Sequence, residues 1–272
     1  MGRKLLLLLP LAVLGLSSCV KERPSQPSRE TNNQDLQRAG EFFNKLGIAA
    51  MAEENYAKAI ANFSRAVQLN PYDPEYWKNL GEAYTFAKFF EKAKQAFGKA
   101  LALKPDYGEV YYDLGVLYTE WGKYKQALEW FKKASNLDTY EDRYKAFYAL
   151  AQLYKKLGKE REYIANLKRA IDLYPKYKEA LLELARYFAS KGFYSKAEIY
   201  YLRYLSAYPN DERITLEYAQ LLVKEGKHRR AKKILKQLID TSQNPQIVAK
   251  AYKLVNQILI MEAQERLKER EN

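Results

Sequence analysis

The side chains best suited to covalent or acid–base chemistry are few. Among 272 residues there is one cysteine, Cys19, and one histidine, His228. A lone thiol cannot close a disulfide within the chain. His228 sits in Lys227-His228-Arg229-Arg230, with no second imidazole or nearby thiol to complete a metal site, so it reads as a solvated helix residue. The 33 Asp and Glu are spread along periodic segments, with no pair set apart as acid and base. There is no glycine-rich phosphate loop. Gly122, Gly158, Gly192 and Gly226 recur where glycine is suited to ending a helix. The expectation is a protein that is not an enzyme, with no catalytic residues, no metal and no cofactor.

The chemistry left to Cys19 is acylation. Arg3 and Lys4 precede an apolar run from Leu5 to Leu16, too short to span a bilayer stably and laid out as an export signal. The run ends Leu16-Ser17-Ser18-Cys19, which resembles the lipobox of bacterial lipoproteins. That resemblance implies cleavage before Cys19 and acyl chains carried by that cysteine. Residues 1–18 are then a signal peptide, and 19–35 a lipidated cysteine with a disordered tether, polar and carrying Pro24 and Pro27. Val20 stands where Asp would favour inner-membrane retention. The expected location is therefore the outer membrane, facing the periplasm, or the cell membrane where only one membrane exists. The formal net charge of +13 would suit nucleic acid or an anionic surface. Export argues against nucleic acid.

The rest of the chain is organised around Pro74 to Tyr107. Trp77, Leu80, Gly81 and Tyr84, then Ala93, Phe97 and Ala100, with Pro105 as a stop, give two helical periods separated by a short break. Gly81, Ala93 and Ala100 leave room for close helix approach, and Trp77, Tyr84 and Phe97 fill the gaps to neighbouring hairpins. The stretch resembles the tetratricopeptide repeat (TPR), whose W-x2-L-G-x2-Y, A-x3-F-x2-A and late-proline positions are all filled. The expected fold is all-α: a right-handed α-solenoid of about six TPR hairpins over residues 36–245, with a C-terminal capping helix over 246–272. The apolar stripe Ile247, Val248, Ala251, Tyr252, Val255, Ile258 and Leu259 would cover the last seam, and the charged end from Glu262 would fray. Most of the 24 tyrosines are expected to fill seams. Between hairpins three and four, Ala134 to Ala151 contains two residues more than the same interval elsewhere, which predicts a longer helix end or a wider turn.

Function must then reside in surfaces. In the repeat family the first helix of each hairpin lines the concave face. The matching positions offer an early apolar stripe of Ile48, Met51, Phe86, Tyr112 and Val116 beside Glu75, Glu82, Glu109 and Glu120. Tyr148 follows, with Lys145, Gln152, Lys155 and Lys156, then Arg186, Gln220 and Lys224. Such a groove suits an extended or helical segment of a protein or peptide partner. A second surface is the basic cluster around Arg229, Arg230, Lys232 and Lys233, fit for an acidic partner or anionic headgroups if it is more than a solvated helix face.

Lipobox, short tether, six repeats and the longer join containing Asp138-Thr139-Tyr140 and Arg143 together resemble the PilW/PilF group of type IV pilus biogenesis and stability lipoproteins. The resemblance spans about residues 36–240. It implies a pilotin, which escorts secretin subunits to the outer membrane and aids their assembly, and so implies a secretin partner. The chain departs from that group in the helix from Pro245 to Glu271 and in lacking proline near Glu141. The alternatives are a generic periplasmic adaptor for envelope enzymes or outer-membrane assembly, and an enzyme or carbohydrate-binding protein.

Overall fold

The computed structural model describes residues 29–271, with side chains from residue 34 to 269. Cys19, the signal segment and most of the expected tether lie outside the described residues. Thirteen helices follow, with no strand among the described residues. Hairpin one is α1 (Arg29–Ala52) and α2 (Tyr56–Leu69), hairpin two α3 (Pro74–Phe86) and α4 (Phe90–Leu103), and hairpin three α5 (Gly108–Glu120) and α6 (Tyr124–Asn136). Hairpin four is α7 (Arg143–Lys156) and α8 (Glu160–Leu173), hairpin five α9 (Lys178–Ser190) and α10 (Tyr194–Ala207), and hairpin six α11 (Glu212–Lys224) and α12 (His228–Thr241). The terminal helix is α13 (Pro245–Glu271). Residues Arg29 to Asp35, expected within the tether, instead belong to α1. A run of polar residues can extend a helix already nucleated by its packed part.

Consecutive helices pack in pairs. In addition α1 touches α3, α3 touches α5 and α11 touches α13, while no two second helices approach each other to that degree. The first helices therefore form the inner layer and the second helices the outer one. The small residues allow close approach as expected, but Phe97, expected to fill the gap to a neighbouring hairpin, packs onto Gly81 of its own hairpin. A β-carbon on Gly81 would stand 2.7 Å from the Phe97 ring, and Gly47 and Gly115 meet Phe63 and Phe131 more closely still. The signature aromatics also serve as hydrogen-bond donors. Trp77 Nε1 donates to the Pro71 carbonyl at 2.8 Å, and Tyr111 Oη at the next repeat donates to that of Pro105 at 2.7 Å, so each ties its helix to the preceding turn.

Turn chemistry sets the hairpin ends. Asn55, Asp73 and Asp211 cap their helices by accepting from backbone N–H groups. Gly122, Gly158, Gly192 and Gly226 close hairpins three to six at φ between 70° and 78°, the left-handed region. Hairpins one and two place Glu54 (φ 55°) and Lys88 (φ 64°) there instead.

The extra residues between hairpins three and four enter the turn rather than a helix. Residues 137–142 separate α6 from α7, where 104–107 and 174–177 suffice elsewhere. Tyr140 within this turn is buried, and its side chain lies against Gly108, where any β-carbon would collide. Arg143 pairs with Asp138 across the same turn.

α13 differs from the expectation in two ways. Its buried row is Ile247, Ala251, Leu254 and Ile258, while Tyr252 and Leu259 face outward and Val248 and Val255 are half-buried. Only one side of a helix can face α11 and α12, so an apolar arc broader than that contact stays open. The charged end is also helical as far as Glu271, and Lys232 Nζ on α12 holds Glu262 at 2.7 Å.

Candidate protein-binding groove

The six expected groove residues separate into two groups. Tyr112 and Val116 on α5 and Tyr148 on α7 converge on one depression of about 280 Å³. Phe131 and Leu153 complete its apolar walls, and Thr119, Gln152 and Lys156 stand at its rim. The hairpin alternation builds this site. Tyr112 and Val116 lie four apart on one face of α5, and the next first helix brings Tyr148 opposite them. Tyr148 is held from behind by Tyr177, with ring centroids 5.3 Å apart and planes nearly perpendicular. Burial, followed by the nearby Glu183 and Glu179 carboxylates, pushes the Tyr148 hydroxyl up to about 12, so it remains a neutral donor at any physiological pH.

Ile48, Met51 and Phe86 do not line that depression. Ile48 is 49% exposed on α1. Met51 is half-buried against the core of hairpins one and two. Phe86, 36% exposed, stacks on Tyr56 at 5.8 Å. These last two already have partners inside the fold, so the early stripe is discontinuous.

Around the groove the inner face is cross-linked by charge. Arg186 donates from Nε and Nη2 to Glu217 at 2.8 and 2.9 Å, and Tyr201 Oη donates to the same carboxylate at 2.6 Å. Burial alone would raise Glu217, but these donors outweigh it and hold it below the usual carboxylate range. Glu183 is treated alike by Tyr163 and Lys155. Gln152 lies close enough to Glu183 to help keep it ionised, yet its Nε2 is buried without a well-formed hydrogen bond. Lys145 pairs with Asp142 and Lys88 with Glu120. Of the expected charged residues, Glu120, Lys145, Lys155 and Arg186 are thus paired within the fold, while Glu75, Glu82, Glu109, Lys156 and Lys224 make no ion pair among the described residues.

Asp113 was not among the sequence candidates. It follows Tyr112 on α5, is only partly exposed, and makes no hydrogen bond or ion pair among the described residues. Burial, reinforced by Glu82 and Glu109 and opposed by Lys78, pushes its carboxyl up to about 8. Aligning the repeats on Gly81, Gly115 and Ala185 would have revealed it, because it shares a repeat position with Asn79, Glu183 and Glu217.

The basic cluster is half occupied internally. Arg230 holds Glu198 at 2.6 Å and Lys232 holds Glu262, whereas Arg229 and Lys233 are exposed and make no ion pair among the described residues. Lys227 also reaches Glu198, at 2.7 Å, and Tyr218 donates to it at 2.8 Å. A larger depression of about 750 Å³ lies near the α10–α11 turn, but turn backbone and charged groups such as Asp211, Glu212 and Arg213 form much of its wall. The smaller groove has the apolar walls that binding a side chain requires. Among the described residues no group of His, Cys, Asp and Glu could hold a metal ion, and no helix is long and apolar enough to cross a membrane.

Comparisons with known proteins agree with this geometry. Tetratricopeptide-repeat profiles match residues 73–139 and 148–212, and a TPR-repeat profile matches 42–85. No curated protein sequence matches the chain. Among solved structures, pilF of Pseudomonas aeruginosa superposes with a TM-score of 0.60 at 18% identity, over 79% of this chain and 97% of that one. PilW, described as a widely conserved type IV pilus biogenesis factor, gives 0.57 at 24% identity over 78% and 98%. A thermophilic TPR protein of Thermus thermophilus gives 0.50 at 25% identity over 70% and 99%. The likeness to pilF and PilW at these identities is one of fold. With six helical hairpins stacked in order and repeat profiles matching residues 42–139 and 148–212, the chain belongs to the tetratricopeptide-repeat family.

Proposed function

We propose that this protein is an outer-membrane lipoprotein, held by acylated Cys19 and facing the periplasm, whose inner face receives a segment of a secretin subunit during type IV pilus biogenesis. The observation that carries the reading is the apolar groove of Tyr112, Val116 and Tyr148, left open on the inner face. A TPR array offers such a face to a protein or peptide. The pilus assignment draws on the shared fold with pilF and PilW and on the lipobox and longer join in the sequence. Burying one aliphatic or aromatic side chain in the groove is favourable by ~1.5–3 kcal/mol, reduced by the cost of ordering the segment.

The test compares cells carrying Cys19→Ala, Val116→Glu or a complete deletion. Cys19→Ala abolishes labelling by a palmitate analogue. Val116→Glu leaves labelling and helical circular dichroism intact but weakens secretin capture by about tenfold or more, equivalent to ~1.4 kcal/mol. Heat-stable secretin multimers in membrane fractions fall accordingly. Normal multimers in folded Val116→Glu remove the groove from the secretin site. Normal multimers in the deletion remove the pilotin role.

A further inference from the structure

Charge is divided unequally between the two layers of the array. The six first helices carry twelve Lys and Arg and twelve Asp and Glu. The six second helices carry eighteen Lys and Arg against seven Asp and Glu. The excess positive charge of the hairpins therefore lies on the outer layer, and the inner layer is neutral. We infer that the outer layer is a docking surface for an anionic phospholipid bilayer, centred on α10 and α12.

At that centre, Ile199 and Leu202 on α10 are 56% and 45% exposed, beside exposed Lys196 and Arg203. The next second helix, α12, adds exposed Arg229, Lys233 and Lys236. Arg203, Arg229, Lys233 and Lys236 make no ion pair among the described residues, in contrast to Arg230 and Lys232. Exposed aliphatics framed by cations suit the boundary between headgroups and acyl chains, where the cation meets phosphate and the alkyl group leaves water.

The distribution favours a lipid surface over an acidic protein. Ile199 and Leu202 lie exposed among these cations, and a bilayer boundary takes up both the charge and the alkyl groups, where an acidic segment would pair the charge alone. Beyond α8, where three cations and three carboxylates balance, exposed Lys125 and Lys132 on α6 and Lys92 and Lys99 on α4 add further positive charge to the same layer. Neither the groove nor Cys19 enters this inference.

Residues 29–272 contain every described helix and the whole described core, and serve as the test protein free of any acyl anchor. They are sedimented with vesicles of phosphatidylcholine alone or of equimolar phosphatidylcholine and phosphatidylglycerol. Binding to the anionic vesicles exceeds that to neutral ones by about tenfold or more at low salt and is lost near 1 M salt, where the screening length shrinks to about 3 Å. Lys233→Glu with Lys236→Glu weakens it by about tenfold or more. Ile199→Ser with Leu202→Ser weakens vesicle binding by about threefold or more while leaving retention on immobilised polyglutamate unchanged. Circular dichroism establishes that both variants are folded. Equal binding to both kinds of vesicle, or indifference of folded variants, overturns the proposal. So does polyglutamate binding as tight as vesicle binding with no effect of the aliphatic change, which would mark a site for acidic protein.

Discussion

Asp113 in hairpin three and Glu217 in hairpin six occupy one repeat position and meet opposite circumstances. Glu217 receives Arg186 and Tyr201. The repeat counterparts of those two donors around Asp113 are Glu82 and Phe97, a like charge and a plain ring. Asn79, one repeat before Asp113, is satisfied by donating to Asn44 Oδ1 at 2.9 Å. The later hairpins thus use inner-face charge to fasten neighbours together. Hairpin three instead leaves a carboxyl without an internal partner, on the residue that follows Tyr112 of the groove.

The two halves also differ in their cores, and breaking that difference has the largest expected effect. Hairpins one to three pair Gly47, Gly81 and Gly115 with Phe63, Phe97 and Phe131. Hairpins four and six place Ala151 and Ala219 at the repeat positions matched to Leu167 and Leu235. Hairpin five combines Ala185 with Tyr201, whose hydroxyl is drawn to Glu217. Gly81→Ala drives a β-carbon into a fully buried ring and costs ~1–3 kcal/mol. Thermal unfolding then falls by roughly 2–4 °C per kcal/mol. Adding Phe97→Leu recovers part of the loss, as the later hairpins show that the smaller ring-free pairing fits. If the second change deepens the loss, size matching is not what separates the halves.

Titration sharpens the Asp113–Glu217 contrast with a smaller effect. An unfolded Asp titrates near 4, whereas Asp113 in the fold holds its proton up to about 8. The folded state therefore binds more protons across that interval, and stability from this group falls as pH rises through it. Asp113→Asn should stabilise the protein most at pH 9, less at pH 7 and least at pH 5. Glu217→Gln weakens bonds to a charged acceptor and should destabilise at neutral pH by about 1 kcal/mol, given partial solvent screening. Glu198 sets the acid limit. Burial opposes its charge, but Lys227, Tyr218 and Arg230 prevail and hold it at about 2. Its contribution is present above the ordinary glutamate range and is lost as pH falls towards 2. Denaturant midpoints measured at pH 5, 7 and 9 check the parent and both variants, and a parent whose midpoint rises steadily from 5 to 9 while Asp113→Asn stays level contradicts the assignment.

Small residues, aromatics and prolines recurring at fixed intervals made the hairpins legible, because each marks a steric need that only a few residue types meet. The wider turn before α7 followed from counting two extra residues. Tyr112, Val116 and Tyr148 could be placed on one surface for the same reason. Met51 and Phe86 could not be excluded from it, because periodicity gives the face of a helix but not whether a neighbour, here the core and Tyr56, already covers it. The pairing of Arg230 and Lys232 was hidden likewise, since Glu198 and Glu262 lie about thirty residues away in sequence. The helical span of Arg29 to Asp35 left no trace in an apolar period, having no apolar residues to carry one.

The smallest expected effect concerns the hairpin turns, where the divide falls between hairpins two and three. The left-handed residue is glycine in hairpins three to six but Glu54 and Lys88 in the first two. A side-chain-bearing residue there costs roughly 1–2 kcal/mol through the clash of its β-carbon with the following carbonyl oxygen. Glycine removes that clash but has more freedom to lose on folding, which returns part of the gain. Glu54→Gly should therefore stabilise the protein by ~0.5–1 kcal/mol. Glu54 makes no ion pair among the described residues, so nothing else is lost. Lys88→Gly also removes the contact with Glu120, a bridge between largely exposed groups worth ~0–1 kcal/mol, and should gain less. The reverse change, Gly122→Lys, transfers the strain to hairpin three and should lower stability by about what Glu54→Gly adds. Chemical denaturation of the three variants decides the matter. A midpoint for Glu54→Gly at or below that of the parent means the first two turns are relaxed as they stand, and the halves then differ in core and charge but not in backbone strain.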